Sequence, residues 1–186
     1  MVLNQRDPRW ADVQLGTCSP ETIGSDGCLI TAIAEINNTT PLEVNKRLTT
    51  NGGYTSGCLM YLDVKARVPD YKALVHVSDR YADVPVPEGA IGTANSWLER
   101  GGDCVGQVVL RGGMHFLRIT KFFGSGIYSN AIVHDPWTGE EMAITDKYGR
   151  TAPIALVRLF CYSDITTRGF EDYSTLVQDP LYGGLR

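Results

Sequence analysis

Residues 22–38 read TIGSDGCLITAIAEINN, and the fold is decided in this stretch. Gly24, Ser25, Asp26 and Gly27 are turn material. From Cys28 onward the chain turns apolar at Leu29, Ile30, Ile33, Ala34 and Ile36. Apolar residues over most of a helical circumference predict a helix buried on several sides, closed here by Asn37 and Asn38. Cys28 falls in its first turn. The backbone amides of a first turn lack intrahelical acceptors, and the helix dipole favours negative charge beside them. A thiolate is such a charge, so Cys28 is the first candidate nucleophile. The same amides would point at an oxyanion on an attacked carbonyl. A buried structural thiol is the plain alternative for the same residue.

Outward from this helix the pattern changes twice. Residues 1–27 read as irregular, with Asp7-Pro8 and Ser19-Pro20 as turns and Trp10 and Leu15 as anchors. After the helix, Thr40 as cap, Pro41 at the first position and Glu43 completing a capping box predict a second helix through VNKRLTT. Asn51-Gly52-Gly53 stops it. A third short helix is expected over Leu59–Arg67, ended by Pro69, then a strand YKALVHV (71–77) and a helix TANSWLER (93–100). Strand-like runs follow at short intervals: DCVGQVVL (103–110), HFLRITKF (115–122), YSNAIVHD (128–135), EEMAIT (140–145) and PIALVRLFC (153–161). Glycine turns join them, which indicates an antiparallel sheet. Helices first and strands later predict an α+β domain over residues 1–162. A polar tail, 163–186, either packs on it or is loose.

The 186 residues carry 17 Lys+Arg against 21 Asp+Glu, a formal charge of -4, with 43% hydrophobic residues. That fits one domain with a real core. The mild acidity argues against a general nucleic-acid binder, which needs Lys and Arg against phosphates. No apolar run reaches the length of a membrane span. The start, MVLNQRDPRWAD, has no apolar signal core, so no signal peptide and a cytoplasmic or virion-associated location are expected. Five cysteines leave at least one thiol free, and no CxxC pair suggests a zinc cluster. A largely reduced protein is expected, with Cys18, Cys58, Cys104 and Cys161 as buried small hydrophobes. A disulfide to Cys18 is the other state open to Cys28. Asp7, Asp12 and Asp26 fit no calcium-loop spacing. The expected chemistry uses neither metal nor organic cofactor.

Two further residues complete a possible catalytic set. His115 starts a strand after Gly112-Gly113-Met114 and could take a proton from Cys28 and return it to a leaving amine. Asp135 ends the next strand, where its carboxylate could fix the His115 tautomer and stabilise the imidazolium. Read singly, His115 is also an ordinary strand-edge histidine and Asp135 an Asp-Pro turn. His134 is the rival histidine, but strand alternation should turn it away from Asp135. Trp97 is expected in the core, and Trp137 beside Asp135.

With these residues in place, the chain resembles the papain-like cysteine peptidase superfamily. Within it, the likeness is to stand-alone relatives of the double-glycine leader peptidases. The resemblance rests on QRDPRWADVQLG (5–16), TIGSDGCLITAIAEI (22–36), TPLEVNKRL (40–48), NGGY (51–54), GGMHF (112–116) and DPWTGE (135–140). It spans most of the chain, from Asn4 to Tyr148, and implies a papain-like fold with helices on an antiparallel sheet. By position it implies Cys28 as nucleophile, His115 as base, Asp135 as orienting residue and Gln5 as oxyanion donor, with Gln14 a weaker rival for the last role. A surface glutamine near the terminus is the other reading of Gln5. Two departures stand out: Leu29-Ile30-Thr31-Ala32 replaces a small polar run, and residues 149–186 match nothing in that pattern. The implied activity is hydrolysis of a peptide amide through a thioester. Its substrate would be a protein or cell-wall cross-bridge peptide, in a bacterial or phage setting such as an endolysin or virion-associated hydrolase. Two rivals remain open: a transglutaminase- or acyltransferase-like enzyme, and a non-catalytic structural or binding module of a phage particle.

Overall fold

The computed structural model describes residues 1–56, 59–79, 86–110 and 113–164. The elements run α1 (Ile23–Asp26), α2 (Cys28–Ile36), α3 (Pro41–Thr50), β1 (Ala73–Asp79), α4 (Glu88–Glu99), β2 (Asp103–Leu110) and β3 (Gly113–Phe123). They continue as β4 (Asn130–Asp135), β5 (Glu140–Ala143), α5 (Ile144–Tyr148), α6 (Ala152–Ala155) and β6 (Leu156–Ser163). The α+β class read from the sequence is present. Cys58, and the tail from residue 165, lie outside the described residues.

Local chemistry explains most boundaries. Thr40 caps α3 by accepting the Glu43 N–H at 3.2 Å, and Pro41 opens it. Thr22 and Ser25 form a reciprocal capping box at α1, a helical turn inside the segment read as irregular. The expected helix over Leu59–Arg67 is not formed. Met60 bridges back to Tyr54, and the Tyr61 N–H bonds the Gly53 carbonyl, so only a 3-10 turn remains at Val64–Ala66. Backbone pairing there outweighs a weak helical preference. The α4 helix starts at Glu88 rather than Thr93, because extended Pro87 serves as its cap. The expected strand 140–145 ends at Ala143 and turns into α5, which left-handed Gly149 closes at φ 62°. Residues Ala152–Ala155 are helical, and the last strand begins only at Leu156.

The six strands form one sheet in the order β1-β6-β2-β3-β4-β5, every pair antiparallel. The last strand of the chain lies inside the sheet, between β1 and β2. Alternation then gives each strand two loyalties. Val105, Phe160 and Tyr162 join α2, α3, Trp10 and Leu15 in one core. Cys104, Val108, Leu117, Ile119, Leu156, Leu159 and Cys161 join α4 and Trp97 in the other. A sheet covered on both faces explains why DCVGQVVL reads as a nearly continuous apolar run. No helix among the described residues is long and apolar enough to cross a membrane.

One carboxylate ties the layers together. The Glu35 side chain is fully buried near the end of α2. It accepts the Leu3 N–H at 2.6 Å and faces His134 Nδ1 on β4 at 2.6 Å, with the Arg118 guanidinium of β3 at 3.6 Å. Arg118 continues to Asp103 at 2.9 Å, and Asp103 to Lys72 at 2.7 Å. Beyond Leu3 the N-terminal segment lies against the β4–β5 turn. The Gln5 N–H bonds the Pro136 carbonyl at 2.7 Å, and the Asn4 side chain bonds the Thr138 carbonyl at 3.0 Å. Gly139 adopts φ 71°, and a Cβ there would stand 2.7 Å from the Asn4 Cβ, so both conformation and space call for glycine. Replacing Glu35 by alanine leaves Leu3, His134 and Arg118 facing an apolar gap. Denaturant unfolding of Glu35→Ala should show a loss of about 3–5 kcal/mol.

Candidate active site

The turn before α2 is built around a glycine. A Cβ on Gly27 would stand 2.3 Å from the Ile23 carbonyl oxygen and 2.9 Å from the Ile23 Cα, both backbone atoms. Only glycine lets α1 run this closely into α2. Gly27 is also the N-cap, and it brings no side-chain cap to the first turn. The positive end of the helix dipole therefore falls on Cys28. Cys28 carries a free thiol and is half-buried.

His115 is the third residue of β3 and Asp135 the last of β4. Arg118 lies opposite His134 in their antiparallel pairing, so Leu117 comes opposite Asp135 and His115 one diagonal step away on the same face. His115 Nε2 meets Asp135 Oδ1 at 2.8 Å. That leaves Nδ1 for the sulfur, and the Cys28 side chain lies near enough to the imidazole to raise its basicity. Both His115 and Asp135 are buried. Burial alone would push the imidazole down, but the bond with Asp135 and the neighbouring Cys28 side chain outweigh it and raise His115 to about 9. Burial alone would push the Asp135 carboxyl up, yet the hydrogen bonds from His115 and Lys147 hold it below the usual carboxylate range. Asp135 Oδ1 also accepts the Trp137 N–H at 2.8 Å, and Oδ2 receives the Lys147 ammonium and the Tyr148 hydroxyl.

Gln5 is buried, and its Nε2 donates to the Gly24 carbonyl at 3.0 Å, one helical turn ahead of Cys28. Its Oε1 is buried without a hydrogen-bond partner. An amide held in this way has a second N–H for another acceptor. Gln14 is exposed on its bridge to Thr22. The rival histidine, His134, has both ring nitrogens facing carboxylates: Glu35 at 2.6 Å and Glu141 at 3.0 Å. It belongs to the buried polar chain. Thus Cys28, His115, Asp135 and Gln5 are brought around one helix end.

The other cysteines divide into two kinds. Cys18 is disulfide-bonded, which corrects the reading of it as an isolated buried thiol, and its partner is not Cys28. Loop position allows what the apolar composition hid. Cys104 and Cys161 are buried free thiols 3.4 Å apart on neighbouring strands, and Cys161 together with burial pushes the Cys104 thiol well up. Trp97 is buried, while Trp137 is exposed next to Asp135 with the Arg6 guanidinium 4.5 Å over its ring. Asp7 is held by Arg9 at 2.7 Å, and no group of three His, Cys, Asp or Glu among the described residues could hold a metal ion.

Sequence reasoning missed Lys147 and Tyr148. They sit just beyond the strand read over 140–145, and a lone Lys-Tyr pair has no spacing that marks it. Glu35 was legible only as a charged residue in an apolar helix. No family model, curated protein or solved structure matches the chain.

Two outcomes follow from this geometry. Gly27→Ala must push α1 and α2 apart, so it should lower stability by about 1–3 kcal/mol and slow alkylation of Cys28. By NMR, His115 should titrate near 9, and Asp135→Asn should bring its midpoint down toward 6.5, because the anionic partner is gone.

Proposed function

We propose that the protein is a cysteine peptidase of papain-like fold that hydrolyses a peptide amide through a thioester. The observation that carries the reading is that His115 is bonded through Nε2 to Asp135 and has Cys28 near enough to raise its basicity. The sequence resemblance supports it independently of that geometry, and so does the arrangement of helices on an antiparallel sheet.

In the reaction, the raised imidazole of His115 holds the proton it shares with Cys28, and the sulfur attacks the carbonyl carbon. The negative oxygen of the tetrahedral intermediate receives the Gln5 side-chain N–H and the Cys28 backbone N–H. As the C–N bond breaks, His115 returns the proton to the leaving amine. A water then gives a proton to His115 and adds to the thioester. Collapse of that second intermediate releases the carboxylic acid and frees the sulfur, with the proton left on the imidazole. Asp135 stays anionic throughout and balances the imidazolium.

The substrate is a peptide, from a protein or a cell-wall cross-bridge. Val109, Leu110 and Met114 are exposed at the end of the β2–β3 hairpin next to His115, and Trp137 is exposed beside Asp135. They offer apolar contacts on either side of the reacting groups. The disulfide at Cys18 favours work outside a reducing cytosol, as for a virion-associated or cell-wall hydrolase.

A thiol-reactive probe at neutral pH should label one site, and Cys28→Ala should abolish that label and the release of new α-amino groups from cross-bridge peptides or unfolded protein. Equal labelling of both proteins would overturn the reading. Gln5→Ala should keep the label but lose about 10²–10³-fold in turnover. Free acid as product, with an added primary amine left unincorporated, separates hydrolysis from acyl transfer.

A further inference from the structure

Asp135 has more partners than orienting a histidine requires. Oδ1 takes His115 Nε2 and the Trp137 N–H, each at 2.8 Å. Oδ2 takes the Lys147 ammonium and, at 3.3 Å, the Tyr148 hydroxyl. The four acceptor positions of the carboxylate are thereby filled, two on each oxygen. Lys147 and Tyr148 are the last residues of α5, and left-handed Gly149 ends the helix directly after them. The Asp135 side chain is 0% exposed, whereas that of Lys147 is 30% exposed. The ammonium thus enters from the solvent side, opposite the imidazole.

Counting charge shows what this contact does. A Cys28 thiolate, a His115 imidazolium and an Asp135 carboxylate sum to one negative charge. An unbalanced charge is costly where water is excluded. The Lys147 cation brings the sum to zero. It also occupies Oδ2 and leaves Oδ1 to the ring. The other charged groups nearby do not substitute for it. Glu140, opposite Asp135 across the β4–β5 pairing, is exposed, and so is Asp146 on α5. Arg6 lies over the Trp137 ring.

We propose that Lys147, aided by Tyr148, is a positioning residue of the site: it balances the charge of the Cys28–His115–Asp135 set and assigns one Asp135 oxygen to His115. The proposal rests on the peptidase reading for its purpose, but its physical content concerns His115 and can be measured separately. Removing a cation makes every neighbouring deprotonation less favourable. The neutral variant therefore raises the midpoint of His115. A residue that merely held α5 in place would lower activity and leave that midpoint where it is.

The test uses the full chain and two readouts. NMR follows the His115 ring through its titration, and iodoacetamide alkylation of Cys28 is followed against pH. Lys147→Met should move the His115 midpoint and the rising limb of alkylation upward by roughly one pH unit. Lys147→Arg should restore both, and Tyr148→Phe should give a smaller change. Lys147→Gln serves as a second neutral variant, with thermal melts to verify that each protein is folded. A folded neutral variant with an unmoved His115 midpoint overturns the proposal. If wild-type Cys28 alkylates no faster than a free thiol, the peptidase reading fails instead, and the His115 titration still decides the role of Lys147.

Discussion

The Glu35 carboxylate is the contact on which the remaining geometry depends. It is buried two turns after Cys28 and joins three other chain segments: Leu3, two residues before Gln5; Arg118, three after His115; and His134, next to Asp135. A buried carboxylate must be met by donors, and here each donor belongs to a different element. Satisfying one charge therefore sets the approach of the N-terminal segment, β3 and β4 to the same helix. Each residue proposed for catalysis is a short covalent step from that junction.

The site itself is organised by the same electrostatic logic at the other end of the helix. Gly27 lets α1 meet α2 closely enough for the helix to begin at Cys28, so the partial positive charge of the first turn falls on sulfur. His115 has a carboxylate at its Nε2 and a potential thiolate nearby. Its raised basicity is the consequence, despite burial that would act the other way. Lys147 and the Trp137 amide then complete the environment of Asp135. In the proposed peptidase, charge moves within a nearly neutral, largely buried group, which keeps the reorganisation of solvent small.

Much of the architecture was legible because its causes are local. The apolar circumference of α2, the Thr40-Pro41 start of α3 and the nearly continuous apolar run of β2 each carry their own explanation, and the elements occur where those signals lie. The failures share a different cause. Residues 59–67 look helical in isolation, but the backbone of Met60 and Tyr61 pairs with the Gly53-Tyr54 segment. Ile144 and Thr145 read as the end of a strand, but the chain turns helical there and delivers Lys147 to a carboxylate twelve residues earlier. In both, a partner beyond the adjacent helical turn outweighed a weak local preference.

The sequence by itself determined the α+β class, the helix that starts at Cys28 and the residues His115, Asp135 and Gln5 as companions worth seeking. These follow from periodicity, capping and residue chemistry, which act over one or two turns of chain. Only the tertiary structure decided that the last strand lies inside the sheet, that His134 serves Glu35 rather than Cys28, and that Asp135 is shared with Lys147 and Tyr148. Those outcomes depend on which buried charges meet which donors, and no local pattern encodes a pairing across a hundred residues.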